Sequence, residues 1–129
     1  MLRHAIYALM FAVLLFGTAC SESTQARGPQ KIGYSGNVQL DAVTEAIHRA
    51  GRKSQWVTKS VSPGVIEARR DWGGGKHNIM VDVLYDTKTY RIVHKSSKNL
   101  KHSERRVHSA YNIQVDALQK AIKDETWNF

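Results

Sequence analysis

The glycine run Gly73-Gly74-Gly75 followed by Lys76 is the part of the sequence that comes closest to a phosphate-binding loop. Consecutive backbone amides in such a loop can cradle phosphate oxygens, and a lysine can balance their charge. The signature requires four residues between its glycines, and a Lys-Ser or Lys-Thr pair that opens a helix. Here His77 and a strand pattern follow the lysine, so we interpret the run as the turn of a β-hairpin.

A second motif, Gly33-Tyr34-Ser35-Gly36, is one residue short of the Gly-x-Ser-x-Gly elbow that carries the nucleophile of many hydrolases. The elbow follows a strand, whereas this segment lies just before a helical pattern. We therefore interpret Ser35 as a loop serine and assign no catalytic residue. An envelope hydrolase whose His and Asp or Glu residues meet only in the fold stays open as an alternative function.

The histidines that follow residue 20 are the other candidates for chemistry, because three gathered imidazoles can bind a metal ion. No two of them have the i, i+4 spacing of a helical zinc site, and no carboxylate stands beside them in a recognisable pattern. We predict no metal and no cofactor, and we expect the histidines to add to the polar surface. They are His48, His77, His94, His102 and His108.

Large aromatic residues could form a platform for sugars or peptides, although in a domain of this size most of them are recruited to the core. We predict core positions for most of Trp56, Trp72, Trp127, Tyr34, Tyr85, Tyr90 and Tyr111. Trp72, beside the glycine turn, and Trp127, near the carboxyl terminus, are the expected exceptions.

The strongest candidate for function is a basic segment between residues 94 and 108, in which Glu104 is the only acidic residue. Such a segment can bind an anionic surface, with roughly 1 kcal/mol for each well-placed cation at low salt. It can equally be a loop that is charged because it is solvated. The candidate binding residues are Lys95, Lys98, Lys101, Arg105 and Arg106.

The first twenty residues have the composition of an export signal. Arg3 supplies a positive charge, and residues 5–16 form an unbroken apolar run. That run is too short to span a bilayer, which takes roughly 20 apolar residues. Small residues at positions 17–19 then lead to Cys20, the only cysteine in the chain.

The stretch Phe16-Gly17-Thr18-Ala19-Cys20 resembles the lipobox of bacterial lipoproteins, with Gly17 where an aliphatic residue is usual. The resemblance implies that the thiol of Cys20 receives a diacylglycerol and that the leader, residues 1–19, is removed. It also implies acylation of the new amino terminus with a fatty acid such as palmitate. Ser21 rather than aspartate implies the outer membrane, facing the periplasm, in a Gram-negative cell. A plain secretory signal and an uncleaved anchor helix are the alternatives.

Charge and compartment together limit the partners. The chain has 19 Lys and Arg against 11 Asp and Glu, and only Arg3 lies in the leader. An exported basic domain meets anionic lipids, acidic envelope polymers or another envelope protein, whereas export disfavours nucleic acid. An inhibitor of basic enzymes is disfavoured because two basic surfaces repel each other. The leading hypothesis is a membrane-anchored accessory or binding module, not an enzyme.

The elements that must position these residues follow from periodicity. Residues 39–50 have a helical stripe, with Asn37 as cap and Gly51 as its left-handed end. Period-two segments at 55–61, 64–72, 77–85 and 89–95, with short turns between them, predict an antiparallel meander. Ser109 then caps a second helix, in which Ile113 lies off the apolar stripe.

The sequence therefore predicts an α+β fold, with two helices packed on one face of a three- to four-stranded antiparallel sheet in α-β-β-β-α order. We expect residues 1–19 to be the signal peptide, 20–36 a lipidated flexible tether, and 37–129 a single domain. This order resembles small exported lipoproteins of uncharacterised function. The matching residues are 96–100 and the pair Tyr111-Asn112. The resemblance implies a fold and no catalytic residue.

Overall fold

Two helices and a five-stranded antiparallel sheet make up residues 30–98, 100 and 109–129, the part of the chain that the computed structural model describes. The strands lie in the order β1-β5-β4-β3-β2. This arrangement confirms the predicted α+β class and adds one strand at the edge of the sheet. The elements are β1 (Ile32–Gly33), α1 (Leu40–Lys53), β2 (Val57–Ser62), β3 (Val65–Trp72), β4 (His77–Tyr85), β5 (Thr89–Lys98) and α2 (Ser109–Glu125).

Strand β1 lies within the range 20–36 that the sequence assigned to a tether. Ile32 pairs with Tyr90 of β5, and the Tyr34 amide donates a hydrogen bond to the Lys88 carbonyl at 2.9 Å. A strand of two residues is too short to produce a period-two signal, so the pattern could not reveal it. Residues 32 and 33 are thus part of the sheet, and residues 20–29 lie outside the described part of the chain.

Both helices pack on one face of the sheet, because the apolar side chains of alternate strand positions all point to that face. The predicted stripe of α1 is buried, and so are the residues of β4 that the alternation placed together. The buried cluster comprises Val43, Ile47, Ala50, Trp56, Ile66, Ala68, Ile79, Val81, Val83, Tyr85, Tyr90, Tyr111, Leu118 and Ile122.

The ends of α1 differ from the prediction. Gln39, not Asn37, occupies the N-cap position, and it makes no side-chain capping bond. Gly51 does not end the helix, which continues to Lys53. The left-handed residue that follows is Gln55, with φ of 63°. Ser54 closes the helix instead, because its Oγ donates to the Ala50 carbonyl at 2.7 Å.

Gly51 is needed for close packing, not for a turn. A β-carbon at this position would lie 2.5 Å from Cγ2 of Thr58 on β2. Because side chains never approach a β-carbon so closely, only glycine lets α1 lie this near the edge strand. The sequence pattern located the glycine correctly but assigned it the wrong role.

Strand β5 is longer than predicted and contains a bulge. The sequence pattern predicted that the strand ends at Lys95 and that a basic loop begins there. In the structure, β5 continues to Lys98. Val81 pairs with His94 and Met80 with Ser96, so Lys95 is the extra residue. A bulge interrupts the alternation, which is why the polar residues after His94 read as a loop.

Ser109, which the sequence predicted as the cap of α2, is the first residue of the helix itself. Helix α2 packs Tyr111, Leu118 and Ile122 into the core. Ile113 lies off the stripe and is 65% exposed, as predicted. A salt bridge joins Glu125 near its end to Arg49 of α1 at 2.9 Å, and Lys53 binds the other oxygen of the same carboxylate. The two helices are thereby held together at one end.

Candidate binding surface

The face of the sheet that points away from the helices is covered by no element of the described chain. We call it the open face. Its side chains alternate with those of the core, so each strand contributes every second residue. The open face comprises Val57, Lys59, Val65, Glu67, Arg69, Asp71, Asn78, Met80, Asp82, Leu84, Arg91, Val93, Lys95 and Lys98.

A row of charged side chains crosses the open face from one strand to the next. Lys59 lies directly opposite Glu67, and Glu67 opposite Asp82. Lys95 follows Arg91 and Val93 on the same face and joins this row, with its Nζ 2.6 Å from Glu67 Oε2 and 3.9 Å from Asp82 Oδ1. Opposite charges at facing positions stabilise strand pairing. The row therefore stabilises the sheet and also gives the open face a defined charge pattern.

The ion pair with Lys95 controls the ionisation of Glu67. The hydrogen bond from Lys95 lowers the pKa of Glu67, and the positive charge of Lys59 lowers it further. The same bond and the nearby carboxylate of Asp82 raise the pKa of Lys95. Both groups are thus fully charged at neutral pH.

Glu67 and Asp82 are adjacent carboxylates, which is the arrangement that a hydrolase would use for acid and base catalysis. Such a pair works when one carboxyl has a raised pKa and donates a proton. Glu67 has a lowered pKa and is bound to Lys95, so it is not a proton donor at neutral pH. The geometry of this pair fits a structural role better than a catalytic one.

A second cluster lies nearer to the glycine turn. Arg69 donates to both carboxylate oxygens of Asp71, at 2.9 and 3.1 Å, and Asn78 donates to Asp71 Oδ1 at 2.6 Å. These bonds lower the pKa of Asp71. A two-pronged arginine contact of this kind fixes both side chains in one orientation.

The cations of the open face outnumber its carboxylates. Lys95 and Arg69 are paired, whereas Lys59, Arg91 and Lys98 form no ion pair within the described residues. Of the predicted binding residues, Lys95 is therefore engaged in the sheet and Lys98 is exposed at the end of β5. Cys20 and the predicted binding residues Lys101, Arg105 and Arg106 lie outside the described residues.

Strand β2 forms one edge of the open face and is its most exposed part. Val57 is 72% and Val61 58% exposed. Lys59 in the middle of the strand, a bulge between Ser60 and Ser62, and Pro63 just after it are features that prevent edge-to-edge pairing with another sheet. The exposed valines therefore form an apolar edge that a partner could contact through side chains, but not by adding a strand to the sheet.

The motifs that could have carried other chemistry have structural roles. Residues Gly73, Gly74 and Gly75 all have positive φ and form the turn between β3 and β4, as predicted. Ser35 Oγ donates to the Phe129 carbonyl at 2.7 Å and is a loop serine.

The described histidines are spread over the domain. His48 bonds to Thr58 Oγ1 at 2.7 Å and to Ser60 Oγ at 2.9 Å, which ties α1 to β2. His77 stacks on Trp72, and His94 packs edge-on against Tyr111. Within residues 30–98 and 109–129, no three potential metal ligands come together. His102 and His108 lie outside these ranges.

Most aromatic residues lie in the core, as predicted, and Trp127 is the clear exception at 72% exposed. Burial raises the pKa of Tyr90 to about 12 and that of Tyr111 to about 12. Trp72 is partly buried against the core. Tyr90 and Tyr111 are thus structural residues that stay protonated at physiological pH.

Comparisons with protein-family models, with curated proteins and with solved structures find no match. Of the helices in the described ranges, none is both long enough and apolar enough to cross a membrane.

Proposed function

We propose that the chain is a lipid-anchored envelope lipoprotein that acts as a binding module and not as an enzyme. Cys20 carries the acyl chains, and Ser21 directs the protein to the periplasmic face of the outer membrane in a Gram-negative cell. The open face and the basic segment at its end contact an anionic envelope polymer or another envelope protein.

The observation that carries this proposal is a sheet face that none of the described helices or strands covers. Helices of the same chain pack on one face and bury its centre, and no described element covers the other, hydrogen-bonded face. Polar side chains whose orientation is fixed by ion pairs lose little conformational entropy when a partner binds. A face of this kind supports recognition rather than turnover of a small substrate.

Charge supports an anionic partner. Lys98 ends β5 on the open face, and the sequence continues from it into Lys101, Arg105 and Arg106. Because Lys95 is bound to Glu67, we assign the attraction to Lys98 and the cations that follow it. Attraction of this kind weakens as salt screens it.

The test compares two sets of substitutions in the full-length protein held in detergent micelles, which sequester acyl chains. One set replaces Lys98, Lys101, Arg105 and Arg106 by alanine. The control replaces Arg52 and Lys120, exposed cations on the two helices. The measurement is co-sedimentation with isolated cell-wall material at increasing salt concentration.

We expect the fourfold variant to lose affinity by about fivefold per cation at low salt, with a flatter salt dependence. The helix variant should lose far less per charge removed. Binding that is unchanged in the fourfold variant, or that falls equally per charge in the control, would remove the basic segment from the proposal.

A further inference from the structure

An exposed tryptophan stands beside β1, at the end of the domain where the chain enters the sheet. Trp127 lines a cleft of about 250 Å³ together with Ile32 and Lys123. Lys31 directly precedes β1, and the backbone of Lys88 bonds to the residue that follows β1. The side chains of all three lysines are exposed. We call the surface formed by Lys31, Lys88, Lys123 and Trp127 the β1 end.

The orientation of Trp127 is fixed by its neighbours, so the residue does not belong to a loose chain end. Thr126, just before it, is buried, and its Oγ1 donates to the Ile122 carbonyl at 2.8 Å. Phe129, two residues on, packs edge-on against Tyr34, and its carbonyl accepts the hydrogen bond from Ser35. The backbone is thus held on both sides, and the indole is directed outward.

The charge around Trp127 is positive. Within the described residues, Lys31, Lys88 and Lys123 form no ion pair. Lys31 lies near the carboxylate of Asp86, whose Oδ1 already accepts hydrogen bonds from the amides of Lys88 and Thr89. Asp124, which follows Lys123, is paired with Lys120, so the three lysines still leave a net positive charge that attracts anions.

We propose that the β1 end rests on the anionic surface of the phospholipid bilayer, with Trp127 in the headgroup interface and the lysines over the phosphates. Tryptophan is enriched at this interface because its ring is apolar and its N–H is polar. The inference depends on the proposed anchor at Cys20, eleven residues before Lys31. A flexible chain of eleven residues has an end-to-end distance of roughly 15–20 Å in general, so an anchor at Cys20 would keep the β1 end close to the membrane.

This orientation directs the opposite end of the domain away from the bilayer. Strand β5 starts beside β1 at Thr89 and runs for ten residues to Lys98. At about 3.3 Å per residue, Lys98 lies about 30 Å from the β1 end. The membrane contact and the proposed partner contact therefore lie at separate ends and can be made at the same time.

The experiment uses the protein as purified from cell membranes and reconstituted into vesicles of phosphatidylglycerol and phosphatidylcholine with brominated acyl chains. Bromine quenches tryptophan emission only at short range. Trp56 is 2% exposed and buried in the core, and Trp72 lies beside His77 at the far end of β3. Trp127→Phe is therefore the test variant and Trp72→Phe the matched control.

We expect brominated lipid to quench the wild-type emission, Trp127→Phe to lose most of that quenching, and Trp72→Phe to keep it. Reversing the lysines (Lys31→Glu, Lys88→Glu and Lys123→Glu) should strongly reduce the quenching. Reversing Arg52, Lys76 and Lys120 to glutamate, an equal change in charge at exposed positions outside both proposed contact surfaces, should not. Quenching that persists in Trp127→Phe or in the lysine-reversed protein would overturn the proposal.

The intact mass of the same preparation tests the anchor separately. A mass that includes the acyl chains, combined with unquenched Trp127, would overturn the membrane contact and leave the anchor in place. A mass without acyl chains, combined with quenched Trp127, would support the contact and contradict the anchor.

Discussion

Lys95 was predicted to bind an anionic partner because of its charge, but in the fold its charge is used in an internal ion pair. It belongs to the basic segment in sequence, but in the fold it lies in β5, where its ammonium contacts Glu67 and Asp82. A cation that is already paired offers little to an outside anion, because the internal pair must first be broken. Lys98, three residues on, has no ion-pair partner among the described residues and remains a candidate.

The ion pair between Lys95 and Glu67 should make the stability of the fold depend on pH. In the folded protein the pKa of Glu67 is lowered, so the pair contributes stability at neutral pH and loses it as pH falls through that lowered pKa. We expect NMR titration of the Glu67 carboxyl to give a midpoint below its usual range. In Lys95→Met the midpoint should return upward.

Lys120→Met is the control, because Lys120 pairs with Asp124 on α2 and does not contact Glu67. It should leave the Glu67 midpoint unchanged. If Glu67 titrates at the same pH with and without Lys95, the ion pair has no effect in solution.

At the scale of elements, the contact between α1 and β2 depends on Gly51. Exchanging glycine for alanine inside a helix ordinarily stabilises by roughly 0.5–1 kcal/mol. Here the new methyl group would meet Thr58 Cγ2 at 2.5 Å and the Trp56 carbonyl oxygen at 3.3 Å. Steric conflict therefore outweighs helix propensity.

We predict that Gly51→Ala lowers the free energy of unfolding by about 1–3 kcal/mol, as overpacked sites do. Thr58→Ser removes Cγ2 and keeps the hydroxyl that bonds His48. The double variant should therefore recover part of the loss, and urea denaturation of the four proteins measures the coupling. A stabilised Gly51→Ala protein would contradict the close packing.

The same elements show what periodicity can predict. Both helices and four strands follow from apolar residues at spacings of three and four or of two, because each element buries one face. Three features depend on contacts between elements and not on the pattern within one element: the two-residue β1, the bulge at Lys95 and the role of Gly51. The charged residues of the open face could be predicted only in part. Alternation places Glu67, Arg69 and Asp71 on one face of β3, but it does not predict which residues of β4 and β5 lie next to them.

At the scale of the whole molecule, the two ends of the domain carry different residues, and the open face is covered by none of the described elements. The β1 end carries Trp127 and lies where the chain arrives from Cys20. The far end carries Lys98 and continues into the remaining basic residues. This separation of the two ends is consistent with the proposed binding module, which would be anchored to a membrane at one end and would bind its partner at the other.

The most direct test of this account is the intact mass of the protein purified from the membrane fraction, together with the cellular location of Cys20→Ser. We predict loss of residues 1–19, a mass increased by a diacylglyceryl group and an acyl chain, and loss of this modification in Cys20→Ser, with release from the membrane. An unmodified chain, its leader intact and its thiol free, found in the cytosol would contradict the account.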